Sequence, residues 1–434
     1  MIQLVILADD LTGAADTGAS FASRGFATTI LFAASQVTEA EGVVIPNSSD
    51  SPDSPYVPHV PEVLVLSTES RDVDATSAAR RNRDAVRRVR EASRFLDGVE
   101  TVLPLRVYKK MDSALRGHPR EELLAVMEEL GERRALVAPA LPSESRTTIG
   151  GRQLIGGVPV EQSPFGAETT SSDLLALFEG EGARSVHLLD IQTVRQGIDT
   201  VSRALQNAPE GIIVADAQND ADLLTLARAA LGSDVRVLSG SAGFARQLAL
   251  VLPLTAAISP GHRPPTGVGP VLVVAGSRHH ATDVQVGALH RAGYPGVRLE
   301  QDHIDDPATA VHETIDIVAK YLAAGRSVIL TTTGLDPSVH GPAFVVSRLA
   351  EVAVEAASRA HIGGFVLTGG DVAAGILDAM GASALHLHGE IRPAMPWGIV
   401  TSRRLPPISV ATKAGSFGTE DALLACLDHL TAQG

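Results

Sequence analysis

The chain has 434 residues and a formal charge of −14, with 44% hydrophobic and 20% charged residues. A chain of that length buries full hydrophobic cores and predicts two large domains or three small ones, and the single cysteine, Cys426, excludes a disulfide scaffold or a cysteine-based zinc site within one chain. The acidic balance excludes a general nucleic-acid binder and a binder of anionic membranes, while leaving room for small anions gripped by local arginines and backbone N–H groups.

The first ten residues, MIQLVILADD, lack a basic segment and run into Asp9 and Asp10, so they read as a buried strand rather than a signal peptide. The longest apolar stretch, near Leu248–Ile258, contains Pro253 and is too short to span a bilayer, so a soluble, cytoplasmic protein is expected. Short Val/Ile/Leu runs recur at Gln3–Ala8, Val63–Ser67, Ala135–Ala138, Val186–Leu189, Gly211–Ala215, Val271–Ala275, Ser327–Thr331 and Gly364–Thr368. Each leads through a Gly- or Asp-containing turn into a longer helical segment, the pattern of parallel sheets covered on both faces in an α/β protein. Pro46–Pro61, with five prolines, reads as an exposed loop, and the arginines at 80, 83, 87, 90 and 94 as a solvated helix face. The Pro/Gly-dense stretch 259–270 reads as an interdomain linker.

Several strand ends carry chemistry-bearing residues. Asp9 and Asp10 follow the first strand, where open α/β sheets bind ligands, although Asp10 or Thr12 could equally cap the next helix. Tyr108–Leu123 gathers Lys110, Asp112, Ser113 and Arg116 ahead of a helix beginning near Pro119. Lys110 and Arg116 suit a carboxylate and Asp112 and Ser113 suit hydroxyls, a set matched to a polyhydroxy acid; a surface turn before a capped helix is the plainer alternative. The loop Pro142–Val160 adds Arg146. In the second half three strands run into glycine turns, at Gly276-Ser277, at Gly369-Gly370-Asp371 and at Lys413 to Gly418 through Gly415. Such turns let N–H groups approach an anion, though each could serve only as a tight turn. No GxxxxGK[ST], strand-anchored GxGxxG or GxSxG elbow is present, and the His279-His280 doublet lacks the spacing of a helical metal pair.

The motifs in order are ADDLTGAADTG, TESR, KKMDSALRGHP, ESRT with GGVPV, DAQNDADL, GSAGFARQL, VVAGS, TGGD and TKAGSFG. With them the chain resembles, over nearly its whole length, the four-carbon acid sugar kinases, which phosphorylate threonate, erythronate or 3-oxo-tetronate with ATP. The resemblance implies two α/β domains with mostly parallel sheets and an active site in the interdomain cleft. The sugar-acid domain would span 1–258, the linker 259–270 and the nucleotide domain 271–434. It implies acid contacts at Asp9, Asp10, Ser70, Arg71, Lys110, Asp112, Ser113 and Arg116. ATP contacts would fall at Ser277, Gly369, Gly370, Asp371 and Gly415, with Lys413 nearby. Two positions depart from the family pattern: Val372 stands where GG[DE] is usually followed by Thr, and Pro393-Ala394 replaces Pro-Gly.

On this reading a terminal hydroxyl attacks ATP, with Asp112 as the base and Asp10 as its competitor, and Mg²⁺ bridges the phosphates through Asp371 or water. The alternatives are a catalytically weak protein of the same fold that only binds nucleotide or sugar acid, and, more remotely, a dinucleotide oxidoreductase. Neither nucleic acid nor membrane is an expected partner, and a homo-oligomer is left open.

Overall fold

A run such as Leu4–Ala8 is buried at every position because both faces of its sheet are covered, which is why it reads as continuous rather than alternating hydrophobicity. The computed structural model describes residues 2–32, 61–97, 106–169, 171–180, 185–254, 269–299, 310–332 and 341–432. The proline-rich stretch Pro46–Pro61, but for Pro61, and the linker 259–270, but for Gly269 and Pro270, lie outside the described residues. The described residues form two compact units, the first up to Thr28 and from 61 to 254, the second comprising Thr29–Phe32 and everything from 269 on.

The strands, in chain order, are β1 (Leu4–Ala8), β2 (Thr28–Phe32), β3 (Val63–Ser67), β4 (Arg106–Lys110), β5 (Arg134–Ala138), β6 (Arg146–Ile149), β7 (Arg152–Ile155), β8 (Val158–Pro159), β9 (Val186–Leu189), β10 (Gly211–Ala215) and β11 (Val237–Gly240). In the first unit they make a parallel sheet in the order β3-β1-β4-β11-β5-β10-β9. The strands anticipated from apolar runs are present with ends shifted by at most one residue. β4 was not anticipated, because its sequence RVYKK ends in two lysines; it nonetheless lies between β1 and β11.

The helix α1 (Leu11–Ala22) starts at Asp10, whose side chain accepts from Gly13 N at 2.7 Å, so the capping role read for Asp10 is real. α2 (Ala75–Asp97) carries the arginine face; Arg83, half-buried, and Arg87, exposed, pair with Glu128 and Glu129 of α3 (Pro119–Leu130). Pro119 opens α3, and Gly131, at φ 71°, closes it. β6, β7 and β8 form a small antiparallel sheet whose tip, Gly150-Gly151, has positive φ at both residues. Asp216 holds that tip, accepting from Gly150 N at 2.8 Å, Gly151 N at 2.9 Å and Ile191 N at 3.1 Å.

The second unit contains β12 (Val271–Ala275), β13 (Gly296–Arg298), β14 (Val328–Thr331), β15 (Gly364–Thr368), β16 (Ala382–Arg392), β17 (Met395–Ser402) and β18 (Ile408–Lys413). Strands β13-β14-β12-β15-β18 run parallel, and β17 and β16 continue the sheet antiparallel, with β2 beyond β16. This antiparallel wing was not anticipated. Pro393 and Ala394 form the tight turn between β16 and β17, and Ala394 sits at φ 61° in the left-handed region. The core of this unit packs Val271, Val273, Ile329, Val366 and Ala411 of the sheet against Leu423, Cys426, Leu427 and Leu430 of the last helix. Among the described residues no helix is long and apolar enough to cross a membrane.

Candidate functional site

In the first unit β1 has β3 on one side and β4 on the other, with Ala8 opposite both Ser67 and Lys110. The sheet therefore delivers three distant segments, Asp9-Asp10, Ser70-Arg71 and Lys110 to Arg116, to one place. Arg71 joins them: its Nε is 2.7 Å from Asp9 Oδ2, its Nη1 2.6 Å from Asp10 Oδ2 and its Nη2 3.7 Å from Asp112 Oδ2. Arg116 Nη2 donates to Asp112 Oδ2 at 2.8 Å, and Asp112 Oδ1 accepts from Ala114 N at 2.8 Å. Burial pushes the Asp112 carboxyl up, but the Arg116 hydrogen bond and the charge of Arg71 outweigh it and hold Asp112 below the usual range. Asp9 is likewise held low against its burial by Arg71 and Lys110. In Asp10 burial prevails over Arg71, and the neighbouring Asp9 adds to it, so its pKa is raised.

Successive side chains of a strand point to opposite faces, and β4 uses both. Lys109 is fully buried against Glu122 Oε2 of α3 at 2.8 Å, whereas Lys110 faces α1. Lys110 Nζ donates to Met111 O at 2.9 Å and, among the described residues, has no carboxylate within ion-pair distance. A Cβ at Gly13 would stand 2.6 Å from Asp10 Oδ1 and 3.3 Å from Lys110 Nζ, which accounts for a glycine inside the helix α1. Ser70 is completely buried and donates to Glu122 Oε1 at 2.6 Å, so its side chain lies beneath the cluster and its neighbour Arg71 is what reaches the site.

The β6–β7 hairpin covers the turn after β4. Gln153 Nε2 donates to Ser113 O at 2.8 Å, and Arg146 Nη1 donates to Ser113 Oγ at 2.5 Å. The guanidinium groups of Arg146 and Arg116 lie 4.9 and 5.7 Å from the centre of the Phe165 ring. The sequence placed Arg146 only in a loop and Asp216 only in a motif of the resemblance, and singled out neither Phe165 nor Glu122. Asp216 begins the DAQNDADL motif, which the structure explains locally: Asn219 caps the helix Asp220–Leu231, and Asp222 accepts from Gln218 N at 2.9 Å.

In the second unit β15 lies between β12 and β18, with Thr368 opposite both Ala275 and Lys413. The three glycine turns therefore adjoin. A Cβ at Gly415 would collide with Ser277 Oγ, and one at Gly369, where φ is 103°, would stand 3.5 Å from Ser277 Cβ. Gly369 N donates to Lys413 O at 3.0 Å, and Gly370 begins the helix Gly370–Met380, with Asp371 exposed in its first turn. Lys413 does not point outward: its Nζ donates to the carbonyls of Ala414, Gly415 and Phe417 at 2.8, 3.2 and 3.0 Å. Burial pulls its pKa down to about 8. Thr282 Oγ1 and Gln285 Nε2 also donate to carbonyls of this loop, and the N–H groups of Gly415 and Ser416 have no protein acceptor among the described residues. Val372 is buried and packs on Gly276, where a Cβ would stand 2.5 Å from Val372 Cγ2. Among the described residues no group of three or more His, Cys, Asp or Glu side chains could hold a metal ion.

These two units define a two-domain α/β protein, with a buried carboxylate–arginine cluster in one domain and a set of amide-lined glycine turns in the other. Residues 4–248 match a family model described as a sugar-binding N-terminal domain, and residues 272–423 one described as a nucleotide-binding C-terminal domain. The chain belongs to the four-carbon acid sugar kinase family. It is 30% identical to the D-threonate kinase of Salmonella typhimurium, covering 99% of this chain and 98% of that one. It is 33% identical to the D-threonate kinase of Cupriavidus necator over 96% of each chain. The D-erythronate kinase of Heliobacterium modesticaldum is 29% identical over 99% of this chain and 97% of its own. Its fold is shared by solved structures from Salmonella typhimurium (TM-score 0.75, 20% identity, covering 99% of this chain and 100% of that one) and Haemophilus influenzae (TM-score 0.71, 21% identity, covering 97% and 98%).

Proposed function

We propose that the chain is an ATP-dependent kinase that phosphorylates a terminal hydroxyl of a four-carbon sugar acid. The observation that carries this is the convergence of Asp9, Asp10, Arg71, Lys110, Asp112, Ser113 and Arg116 at the ends of β1, β3 and β4, a mixture of cations and hydrogen-bond acceptors suited to a short hydroxylated acid. Residues 1–258 are assigned to the acid, 271–434 to the nucleotide and 259–270 to their connection. Three curated relatives named D-threonate kinase stand at 30–33% identity, which puts threonate first among the acids to test.

In phosphoryl transfer the protein's task is positioning and charge neutralisation, with a carboxylate to take the hydroxyl proton. Asp112 and Asp10 compete for that role. Asp112 is tied down by Arg116 and Ala114 N and is held strongly ionised, which makes it a weak base and a good anchor for a hydroxyl. Asp10 is held at both oxygens too, by Gly13 N at 2.7 Å and Arg71 Nη1 at 2.6 Å, but burial raises its pKa, which keeps it in competition with Asp112 for the role of base. Lys110, with no carboxylate at ion-pair distance among the described residues, stabilises the charge that gathers on the attacking oxygen. The free amides at Gly415 and Ser416, the Gly369-Gly370 turn and the Ser277 hydroxyl hold the phosphates. Mg²⁺ bound with the nucleotide would supply charge neutralisation at the phosphates. In the absence of a carboxylate cage among the described residues, Asp371 is the side chain available to it or to a ribose hydroxyl.

The test is ADP release with ATP, Mg²⁺ and a panel of D- and L-threonate, D- and L-erythronate and 3-oxo-tetronate. Saturable turnover with one acid is expected. Nucleotide binding with no phosphorylated acid would instead identify a binding protein of the same fold.

A further inference from the structure

Four cations border the acid cluster, and they differ in what already neutralises them. Arg71 has carboxylates of Asp9, Asp10 and Asp112 within 4 Å, and Arg116 has Asp112 and Glu168. Among the described residues Lys110 has no carboxylate at ion-pair distance, yet its charge bears on Asp9, Asp10 and Asp16 together. Arg146 is different. Among the described residues it has no carboxylate at ion-pair distance, and one hydrogen bond, from Nη1 to the neutral Ser113 hydroxyl. A guanidinium has five N–H donors, and its Nε is buried with no acceptor, as is that of Arg116, so the group is under-satisfied, and the charges of Asp112 and Glu144 reach it only from beyond ion-pair distance.

Its position is nevertheless built. The face of Arg146 rests on Phe165, which carries Arg116 as well, and Ser113 fixes its edge. The hairpin that bears it is tied to the turn after β4 by Gln153 Nε2 of β7 on Ser113 O at 2.8 Å, and Thr169, beyond the hairpin, adds its Oγ1 on Ala114 O at 2.7 Å. At the opposite end of the cluster Arg71 is already committed to Asp9 and Asp10. An acid with its far hydroxyl at Asp10 would therefore have its carboxylate on the Phe165 side, where Arg146 has no such commitment.

We propose that Arg146 is a specificity-determining residue, which binds the substrate carboxylate and so makes the chain prefer sugar acids over neutral polyols of the same length. This rests on reading the first unit as the sugar-acid site. A planar guanidinium matches a carboxylate with paired hydrogen bonds, whereas a lysine at the same place offers a point charge and loses the stacking on Phe165.

The test measures kcat and KM of the full chain, Arg146→Ala and Arg146→Lys, with the best tetronic acid and with the neutral tetritols erythritol and threitol. Arg146→Ala is expected to raise KM for the acid about 10- to 100-fold, the equivalent of charge-assisted hydrogen bonds at ~1.4 kcal/mol per tenfold, with kcat changed little. The nucleotide KM and any tetritol turnover are expected to stay as in the parent, and Arg146→Lys to fall between. An unchanged acid KM, or losses of equal size for acid and tetritol, overturns the proposal by making Arg146 a packing residue. If the parent chain phosphorylates no acid, the kinase reading fails separately, and thermal shifts decide this one. Tetronic acid must then stabilise the parent and not Arg146→Ala, and equal shifts or none in the parent overturn it.

Discussion

Lys109 Nζ lies 2.8 Å from Glu122 Oε2, with side-chain exposures of 0% and 2%, and the second oxygen of Glu122 accepts the Ser70 hydroxyl at 2.6 Å. This ion pair connects β4, α3 and the turn that presents Arg71. Removing one partner of a buried pair strands the other charge at a cost of about 3–5 kcal/mol, while replacing both with apolar residues costs far less. Urea denaturation of Glu122→Gln is expected to show a loss of that order, and the double change Lys109→Met with Glu122→Leu to recover part of it. Equal losses in the single and double variants would contradict the pair's role.

Gly13→Ala separates catalysis from stability. The new Cβ must push against Asp10 Oδ1 and Lys110 Nζ, while the helix α1 gains up to ~1 kcal/mol in propensity. The expected outcome is a melting temperature near that of the parent with turnover down about tenfold or more, since small misplacements of reacting groups are costly. Parent-like kcat in this variant would remove Asp10 from the reaction.

Arg116 is expected to act on acid stability through Asp112. The Asp112 carboxyl is held below its ordinary value of 3.8 in the folded chain, so between the folded value and 3.8 the unfolded chain binds more protons. The stability from this group is therefore complete above about pH 4 and fades as pH falls through the folded value. Arg116→Ala should cost most at pH 5–7 and progressively less toward pH 3, as read from urea midpoints. A penalty independent of pH would mean that Arg116 stabilises only by packing on Phe165.

Ala394 occupies a left-handed conformation at φ 61° that costs an L-residue with a Cβ roughly 1–2 kcal/mol, partly offset by the extra freedom a glycine has when unfolded. Ala394→Gly is expected to raise stability by about 0.5–1 kcal/mol without altering either KM. A destabilised glycine variant would show that the turn is not strained.

Lys413 fastens three carbonyls of the turn that carries Gly415. Lys413→Met is expected to raise KM for nucleotide about tenfold or more by loosening that turn, while KM for the acid stays put; isothermal titration with ADP checks the same loss without turnover. A shift in the acid KM alone would refute this division of labour.

What could be read without coordinates is what short-range rules encode. Apolar runs like Val271–Ala275 showed the parallel strands, Pro119 the start of α3, Asp10 a helix cap and the glycines their turns, because each depends only on residues a few positions apart. β4 escaped because RVYKK looks like a surface segment until Glu122, from another element, neutralises Lys109. The antiparallel pair β16–β17 escaped because Pro393-Ala394 lacks the glycine that usually marks so tight a turn.

The sequence by itself determined the α/β class, the strand ends that carry reactive side chains and the resemblance to sugar-acid kinases, since local periodicity and motif order need no partner. Only the tertiary structure decided which charges neutralise one another. It hid Ser70 behind Glu122, surrounded Arg71 with three acids, turned Lys413 into its own loop and left Arg146 on Phe165 with no carboxylate at ion-pair distance among the described residues. The physical reason is that the state of a buried charge is set by neighbours brought from distant parts of the chain, and the order of strands in the sheet, rather than the order of residues, chooses those neighbours.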